Sequence, residues 1–218
     1  MAFWQWDEST RRYRITSDGA RALNQPSGSF VGQVKMLGFR DELIAQQKQR
    51  AVSLASDLSS GSLSIQDWLI SMRKETKDTY LSQYMLGRGG RNAMTQADYG
   101  RVGRQIRDQY SFLQNFAERI ADGKYSERQI SAISQLYIEG SSSAFEIGNA
   151  RAHGSLSLPQ HPGDGKTQCL TNCKCHWQIR DTGGAWSCVW VLNVAEHCPD
   201  CLANASKWSG GNPLVIEK

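Results

Sequence analysis

Two short segments near the C-terminus decide how this chain is organised: CLTNCKC at residues 169–175 and HCPDC at residues 197–201. All six cysteines of the protein lie between residues 169 and 201. The first residues form neither the basic nor the apolar part of a secretory signal, so we expect a reducing environment. In such a chain, clustered cysteines more often bind a metal ion than form a disulfide framework.

The module that carries these segments, residues 159–218, is too small to build much core of its own. A tetrahedral thiolate zinc site would supply the missing stability, and a closed set of four ligands makes the zinc structural rather than catalytic. The candidate ligands are Cys169, Cys173, Cys175, Cys198 and Cys201. Of these, Cys198 and Cys201 are the best placed, and two or more of the other three are expected to complete the set.

Other interpretations of these side chains stay open. Cys188 lies on the apolar, tryptophan-rich face of a predicted strand, which favours a buried free thiol. His176 and His197 could bind the metal, although such histidines are more often surface or core residues. The cysteines could also be reduced core residues without metal. Residues 198–201 form a C-x-x-C pair, but the βαβ context of a redox motif is missing.

Three capping boxes mark the starts of helices in the N-terminal part of the chain: Ser64 with Asp67, Thr95 with Asp98, and Ser126 with Gln129. The glycines of the segment 86–90, Gly123 and Gly154 are expected to end these helices. Before them, apolar residues at helical spacing from about residue 29 to 61 predict one further long helix, which Gly38 could interrupt. The pattern therefore indicates about four long helices.

The apolar residues of the three capped helices predict the core. The first of them is expected to bury Trp68, Leu69, Met72 and Tyr80. The second is expected to bury Tyr99, Val102, Ile106, Tyr110, Leu113, Phe116 and Ile120, together with Phe112 or Ala117. The third is expected to bury Ile130, Ile133, Leu136, Tyr137, Phe145 and Ile147.

Alternating residues predict two β-hairpins. The first lies within residues 3–16, turns at residues 7–10, and must dock on another surface because a lone hairpin is marginally stable. The second pairs residues 174–180 with residues 185–192. A short helix follows from about residue 199 to 208.

The predicted fold class is mainly α, with an N-terminal body of about four long helices and a small C-terminal zinc-stabilised β-hairpin and helix module. We divide the chain into a hairpin arm at residues 1–28, a helical domain at residues 29–158 and the Cys-rich module at residues 159–218. No stretch approaches the roughly 20 consecutive apolar residues that a membrane span requires, so we expect no membrane contact.

The net charge of +4 comes entirely from the part before residue 160, since the remainder carries five basic and five acidic residues. Arg88, Arg91, Arg101 and Arg104 contribute much of this excess. They could contact the phosphates of DNA. A solvated helix end is the simpler interpretation, because stacking aromatics and a nucleic-acid motif are missing.

Three enzyme classes can be set aside. Residues 165–167, GKT, resemble the end of a phosphate loop, but Gln160 stands where its first glycine belongs. A zinc deaminase needs H-x-E, and none of the four histidines is followed by glutamate at that spacing. The G-x-S-x-G of a hydrolase does not occur. We therefore expect no enzyme activity.

The segments HPGDGKTQCLTNCKCHW at residues 161–177 and AEHCPDC at residues 195–201 resemble the C-terminal signature of tailed-phage head morphogenesis (minor head) proteins. GRGGRNAMT at 87–95, YGRVGR at 99–104 and QYSFLQNFA at 109–117 resemble the helical part of such proteins. Cys188 is not part of the pattern.

The resemblance implies a structural, non-enzymatic virion or assembly protein that is present in few copies near the portal vertex of the head. The implied partners are the portal protein and the major capsid or scaffold proteins, met first in the bacterial host cytoplasm. The alternative is a cellular zinc-ribbon nucleic-acid-binding protein, against which the neutral charge of the Cys-rich module counts. A thiol oxidoreductase is the third candidate.

Overall fold

The computed structural model describes residues 4–7, 12–22, 24–170, 173–194 and 196–218, and within these ranges the fold is mainly α. The helices are α1 (Ser17–Ala22), α2 (Gln33–Ser59), α3 (Ile65–Arg88), α4 (Gln96–Ala121), α5 (Glu127–Glu139), α6 (Ser142–Ala152) and α7 (Pro199–Lys207). The strands are β1 (Trp4–Asp7), β2 (Arg12–Ile15), β3 (Phe30–Val31), β4 (His176–Asp181), β5 (Ala185–Val191) and β6 (Leu214–Glu217). No helix among the described residues is long and apolar enough to cross a membrane.

The predicted helix starts are confirmed by their hydrogen bonds. The Ser64 hydroxyl oxygen accepts from the Asp67 backbone N–H at 3.1 Å, and Thr95 forms a complete capping box with Asp98. At the start of α5, the Gln129 amide oxygen accepts from the Ser126 N–H at 2.9 Å. Each contact satisfies a backbone donor that the first helical turn leaves free.

Two helix boundaries differ from the prediction. The helix expected from residue 29 begins at Gln33, because residues 30–31 form β3 and pair with β2. The single helix expected from Ser126 to Gly154 is wrong: α5 ends at Glu139 and α6 begins at Ser142. In the turn between them, the Ser141 hydroxyl donates to the Ile138 carbonyl at 2.6 Å, which replaces a helical bond and redirects the chain.

Helices α3 and α6 cross with their backbones in contact. A Cβ atom on Gly87 would lie 2.2 Å from the Phe145 carbonyl oxygen, and one on Gly148 would lie 2.4 Å from the Tyr84 carbonyl oxygen. Only glycine permits this approach. The crossing holds α6 against the centre of the helical body.

The helical core is mostly the predicted one, with two corrections, Tyr99 and Leu136; of the alternatives Phe112 and Ala117, the second is buried. The predicted residues that are buried include Trp68, Leu69, Met72, Tyr80, Val102, Ile106, Leu113, Phe116, Ile130 and Phe145. Tyr99 is 42% exposed, and Leu136 is 38% exposed. On α4, Asp98 faces inward, so its neighbour Tyr99 faces solvent. Ala117 is buried, whereas Phe112 is 56% exposed.

The C-terminal module is a three-stranded antiparallel sheet with α7 beside it. Strands β4 and β5 form the predicted hairpin, and Trp177 lies opposite Trp190. Strand β6 extends the hairpin by pairing with β5. The Trp208 carbonyl at the end of α7 accepts from the Trp190 N–H at 2.9 Å and so joins the helix to the sheet.

The N-terminal hairpin is present, and β3 adds a third strand to it. Residues 8–10 of its predicted turn lie outside the described part of the chain. Ile15 and Val31 of this sheet are buried with Leu86 and Phe145 of the helical body. The sheet therefore docks on α3 and α6.

Candidate metal centre

The five candidate ligands come from two places in the fold. Cys169, Cys173 and Cys175 lie in the irregular segment that precedes β4. Cys198 caps the start of α7, where Pro199 takes the first helical position, and Cys201 lies in the first turn of that helix. The cysteines of both sequence segments therefore meet at the start of α7. Residues 171, 172 and 195 of these segments lie outside the described residues.

The sulfur atoms form a compact group. Cys201 Sγ lies 3.5 Å from Cys169 Sγ and 3.5 Å from Cys173 Sγ, and Cys198 Sγ lies 3.5 Å from Cys169 Sγ. The sulfurs of Cys169, Cys173 and Cys201 all lie within 4.8 Å of one another. With metal–sulfur bonds of about 2.3 Å, tetrahedral ligands lie about 3.8 Å apart, so the spacing fits a shared metal ion.

Cys175 joins the group at its other side. It belongs to the same buried cluster as Cys173 and Cys201, and its Sγ lies 3.9 Å from His197 Nδ1. The second ring nitrogen of this histidine, Nε2, lies 2.7 Å from the Asn193 carbonyl oxygen. The structure thus places His197 beside the thiols, whereas the sequence left open whether this histidine binds the metal.

Cys188 and His176 occupy different positions. Cys188 is a fully buried free thiol in the centre of β5, as predicted, and burial raises its pKa to about 11. His176 begins β4, where burial and the positive charge of Arg40 lower its pKa to about 4. Neither residue belongs to the thiol group whose distances are given above.

The protein environment favours protonated thiols at most of these positions in the absence of a cation. The hydrogen bond with Cys175, followed by burial, raises the pKa of Cys173, and burial raises the pKa values of Cys169 and Cys201. Burial also acts to raise the pKa of Cys198, but backbone hydrogen bonds from Cys201 and Cys169 outweigh it and lower that pKa. Binding of a metal ion therefore releases protons.

One hydrogen bond holds the loop of Cys169 against α7, and a second lies within the loop. The Asp200 carboxylate accepts from the Gln168 N–H at 2.8 Å, and the Thr167 hydroxyl lies 3.2 Å from Cys169 Sγ. Asp200 is thus a positioning residue within the second sequence segment. Such outer contacts orient ligands before a metal binds.

Aromatic side chains pack on the thiols. Trp177 lies edge-to-face with Trp190 at 5.2 Å between ring centroids, and the centroid of Trp208 lies 5.1 Å from that of Trp177. Trp177 and Trp190 belong with Cys173, Cys175 and Cys201 to one buried cluster. Thiols in this surrounding are shielded from water, which strengthens their interaction with a cation.

A buried glutamate joins the module to the helical body, and sequence reasoning missed it. Glu146 of α6 is 2% exposed and pairs with Arg40 of α2 at 3.2 Å. Its second oxygen accepts from the Trp177 N–H of β4 at 3.3 Å. Burial raises the pKa of Glu146 to about 7, against the attraction of Arg40. A glutamate within the apolar run of residues 144–148 is the signal that could have revealed it.

The HPGDGKT segment at residues 161–167 is a turn. The Asp164 carboxylate accepts from the His161 N–H at 2.9 Å and from the Lys166 N–H at 3.0 Å. Gly163 has φ +77° and lies against the start of α6, where a Cβ would come within 3.0 Å of the Ser142 hydroxyl. The segment therefore packs on the helical body, with Asp164 satisfying its backbone donors.

The four arginines considered for DNA contact have different environments. Arg88 donates to the carbonyl oxygens of Arg151 and Ala93 at 2.7 and 2.6 Å and pairs with buried Asp98 at 3.3 Å. Arg91 and Arg104 are exposed, and Arg101 is half-buried. Arg88 therefore holds the fold at the end of α3, whereas two of the other three face solvent.

Comparisons with known proteins add no named relative to this geometry. No protein-family model matches the chain, and no curated protein and no solved structure matches it. The described residues themselves show a group of thiols within metal-binding distance, centred on Cys169, Cys173 and Cys201, with Cys175 and Cys198 beside them.

Proposed function

We propose that this chain is a structural, non-enzymatic minor head protein of a tailed phage, and that a zinc ion stabilises its C-terminal module. One observation carries the proposal: the cysteines of both segments that resemble the minor head signature lie together at the start of α7. In this proposal, cysteines that lie far apart in the signature bind the same zinc ion.

The donor set supports zinc. Thiolates are soft ligands that select zinc and similar ions over magnesium or calcium. The sulfur separations of 3.5 Å are close to the tetrahedral value, and Cys169, Cys173, Cys198 and Cys201 make the best set of four. A zinc ion with four sulfur ligands has no open position for water or substrate, which supports a structural role.

The architecture supports assembly by contact. The long helices α3 and α4 make a rigid body, and the Cys-rich module is fastened to it through Glu146 and Trp177. In this proposal the module docks on the portal protein or on the major capsid or scaffold proteins. The protein assembles in the bacterial host cytoplasm and stays in the virion head.

Copy number in particles tests the proposal. Purified particles from the encoding host are analysed by quantitative mass spectrometry, with the major capsid protein as the internal reference. We expect a low and reproducible ratio of this chain to the capsid protein. Absence of the chain from particles, although it is present in the lysate, would remove it from the virion.

The exposed arginines favour a second candidate, a cellular zinc-ribbon protein that binds nucleic acid. Arg91 and Arg104 face solvent and are free to meet phosphates. If the protein binds DNA, changing both arginines to alanine weakens the binding and reduces its salt dependence. The control is Arg128→Ala, which changes an exposed arginine in the first turn of α5 and has no effect on DNA binding. The same test examines contact with packaged DNA in a virion protein.

A further inference from the structure

We infer that the thiol cluster binds two divalent thiophilic metal ions, the second of them held by Cys175 and His197. This inference rests on the metal centre of the proposed function and extends it. A site for one ion uses four donors, yet five thiols and one imidazole meet at the start of α7. The two additional donors are adjacent to each other and to Cys173.

The contacts among the donors follow a definite order. Cys198 contacts Cys169, Cys169 contacts Cys201, and Cys201 contacts Cys173, each at 3.5 Å between sulfur atoms. Cys175 follows Cys173 by two residues in the same buried cluster, and its Sγ lies 3.9 Å from His197 Nδ1. Two donors therefore lie at each end, and Cys201 and Cys173 lie between them.

This order matches two ions that share ligands. Two tetrahedral ions have eight coordination positions, and six donors fill them when two thiolates bridge both ions. Cys173 and Cys201 are the central pair and are the donors placed to bridge. Cys169 and Cys198 then complete the first ion, and Cys175 and His197 complete the second.

His197 is oriented as a metal ligand. The Asn193 carbonyl oxygen can only accept a hydrogen bond, so the nitrogen that lies 2.7 Å from it, Nε2, carries the proton. The lone pair of a neutral ring is then on Nδ1, the atom that lies beside Cys175 Sγ. A backbone carbonyl that fixes the tautomer in this way is the usual outer partner of a ligating histidine.

Charge supports the second ion as well. Cys173, Cys175 and Cys201 are each at most 2% exposed, so uncompensated charge on them is costly. Two divalent ions bring four positive charges to this buried group of five sulfur ligands, whereas one ion brings two.

The stoichiometry of the full chain tests the inference. Native mass spectrometry of protein purified with zinc in all buffers gives the number of ions for each chain, and addition of cobalt(II) gives the same number from sulfur-to-metal charge-transfer absorption. We expect two ions for each chain in both measurements. One ion would overturn this inference and leave the proposed zinc centre standing, whereas no ion would overturn both.

Two variants locate the second ion. Loss of a partner that merely orients a ligand weakens metal binding by about 10- to 100-fold, so Cys175→Ala and His197→Ala are expected to weaken the second ion by at least about tenfold while the first remains. Cys188→Ala and His176→Ala are the matched controls, because they remove a thiol and an imidazole from the sheet of the same module. Two ions bound as tightly in Cys175→Ala and His197→Ala as in the controls would overturn the assignment.

Discussion

The helical body and the Cys-rich module reach stability in different ways. In the body, long capped helices bury large apolar side chains, of which Trp68, Leu113 and Ile138 are fully buried. In the module, short strands enclose tryptophans and thiols, and its two cysteine segments are held together by contacts such as that between Cys169 and Cys201. The body depends on many interactions between residues close in sequence, whereas the module depends on a few contacts between residues far apart in sequence.

This difference indicates which region depends on a metal ion for its stability. Helices are stabilised by bonds within each element, so the body needs only packing of apolar faces to fold. A small module with three strands and a nine-residue helix buries less, and a shared ion replaces the missing core. When the metal is removed, the module should therefore unfold while the helical body stays folded.

The largest expected effect is the loss of the module in Cys201→Ser. Cys201 contacts both Cys169 and Cys173, so its replacement removes the central ligand. Structural zinc contributes on the order of 10 kcal/mol to small zinc-bound folds, which exceeds the stability of such a module. We expect the metal to be released and tryptophan fluorescence to shift to the red, while far-ultraviolet circular dichroism keeps its helical signal.

A chelator added to the unmodified protein should reproduce this result. The matched variant Cys188→Ser changes a buried thiol of the same module that is not in the group of Cys169, Cys173 and Cys201, and it should keep its metal content. Full metal content in Cys201→Ser would remove that residue from the site. Loss of the helical signal together with the metal would mean that body and module fold as one unit.

The next largest effect is expected in the body, at the crossing of α3 and α6. In Gly148→Ala the new Cβ lies 2.4 Å from the Tyr84 carbonyl oxygen, a backbone atom that cannot move alone. The overpacking should lower the free energy of unfolding by about 3 kcal/mol. Urea unfolding followed by circular dichroism measures it.

Gly103→Ala is the control for this variant. A Cβ on Gly103 meets no atom within 4 Å, so alanine there should stabilise α4 by about 0.5–1 kcal/mol through helix propensity. If both variants change stability equally, the close approach of α3 and α6 is wrong. A loss of metal in Gly148→Ala would show that α6 supports the module as well as the body.

The helix starts of the body could be predicted because their determinants are local. Ser64 and Thr95 cap helices with residues three positions away, and such pairs are visible in the sequence. The break between α5 and α6 could not be predicted in the same way. The turn at Ser141 is favoured by packing of α6 on α3, where Gly148 allows backbone contact, and that partner is distant in sequence.

The candidate site could likewise be predicted only in part from the sequence. Cysteine spacing predicted that Cys198 and Cys201 would lie near two or more of Cys169, Cys173 and Cys175, because few arrangements of a hairpin module keep such segments apart. Spacing carried no information on which thiol contacts which, since the thiol contacts depend on how α7 docks on the sheet. The contact of Glu146 with the module depends on how the module docks on the body, so it could not be predicted from the sequence either.

The smallest of the three effects concerns the joint between the regions, and it depends on pH. Burial raises the pKa of Glu146 from 4.5 to about 7, so folding favours the protonated carboxyl. Its contribution to stability is therefore fully present below about pH 4.5 and is lost as the pH rises through about 7. Between about pH 5 and about pH 7 the loss amounts to about 2 kcal/mol.

Glu146→Gln removes this titration and keeps a side chain that can accept from the Trp177 N–H. Burial lowers the pKa values of His153, His161 and His176 to about 4, which makes stability rise with pH, but this effect is the same in both proteins and cancels in the comparison. We therefore expect the stability of Glu146→Gln to rise more steeply from about pH 5 to about pH 7 than that of the unmodified protein, by about 2 kcal/mol in urea unfolding. Parallel pH profiles would contradict a buried, pH-sensitive joint. A steeper profile in the module's tryptophan fluorescence than in the helical signal would place the effect at the contact between β4 and α6.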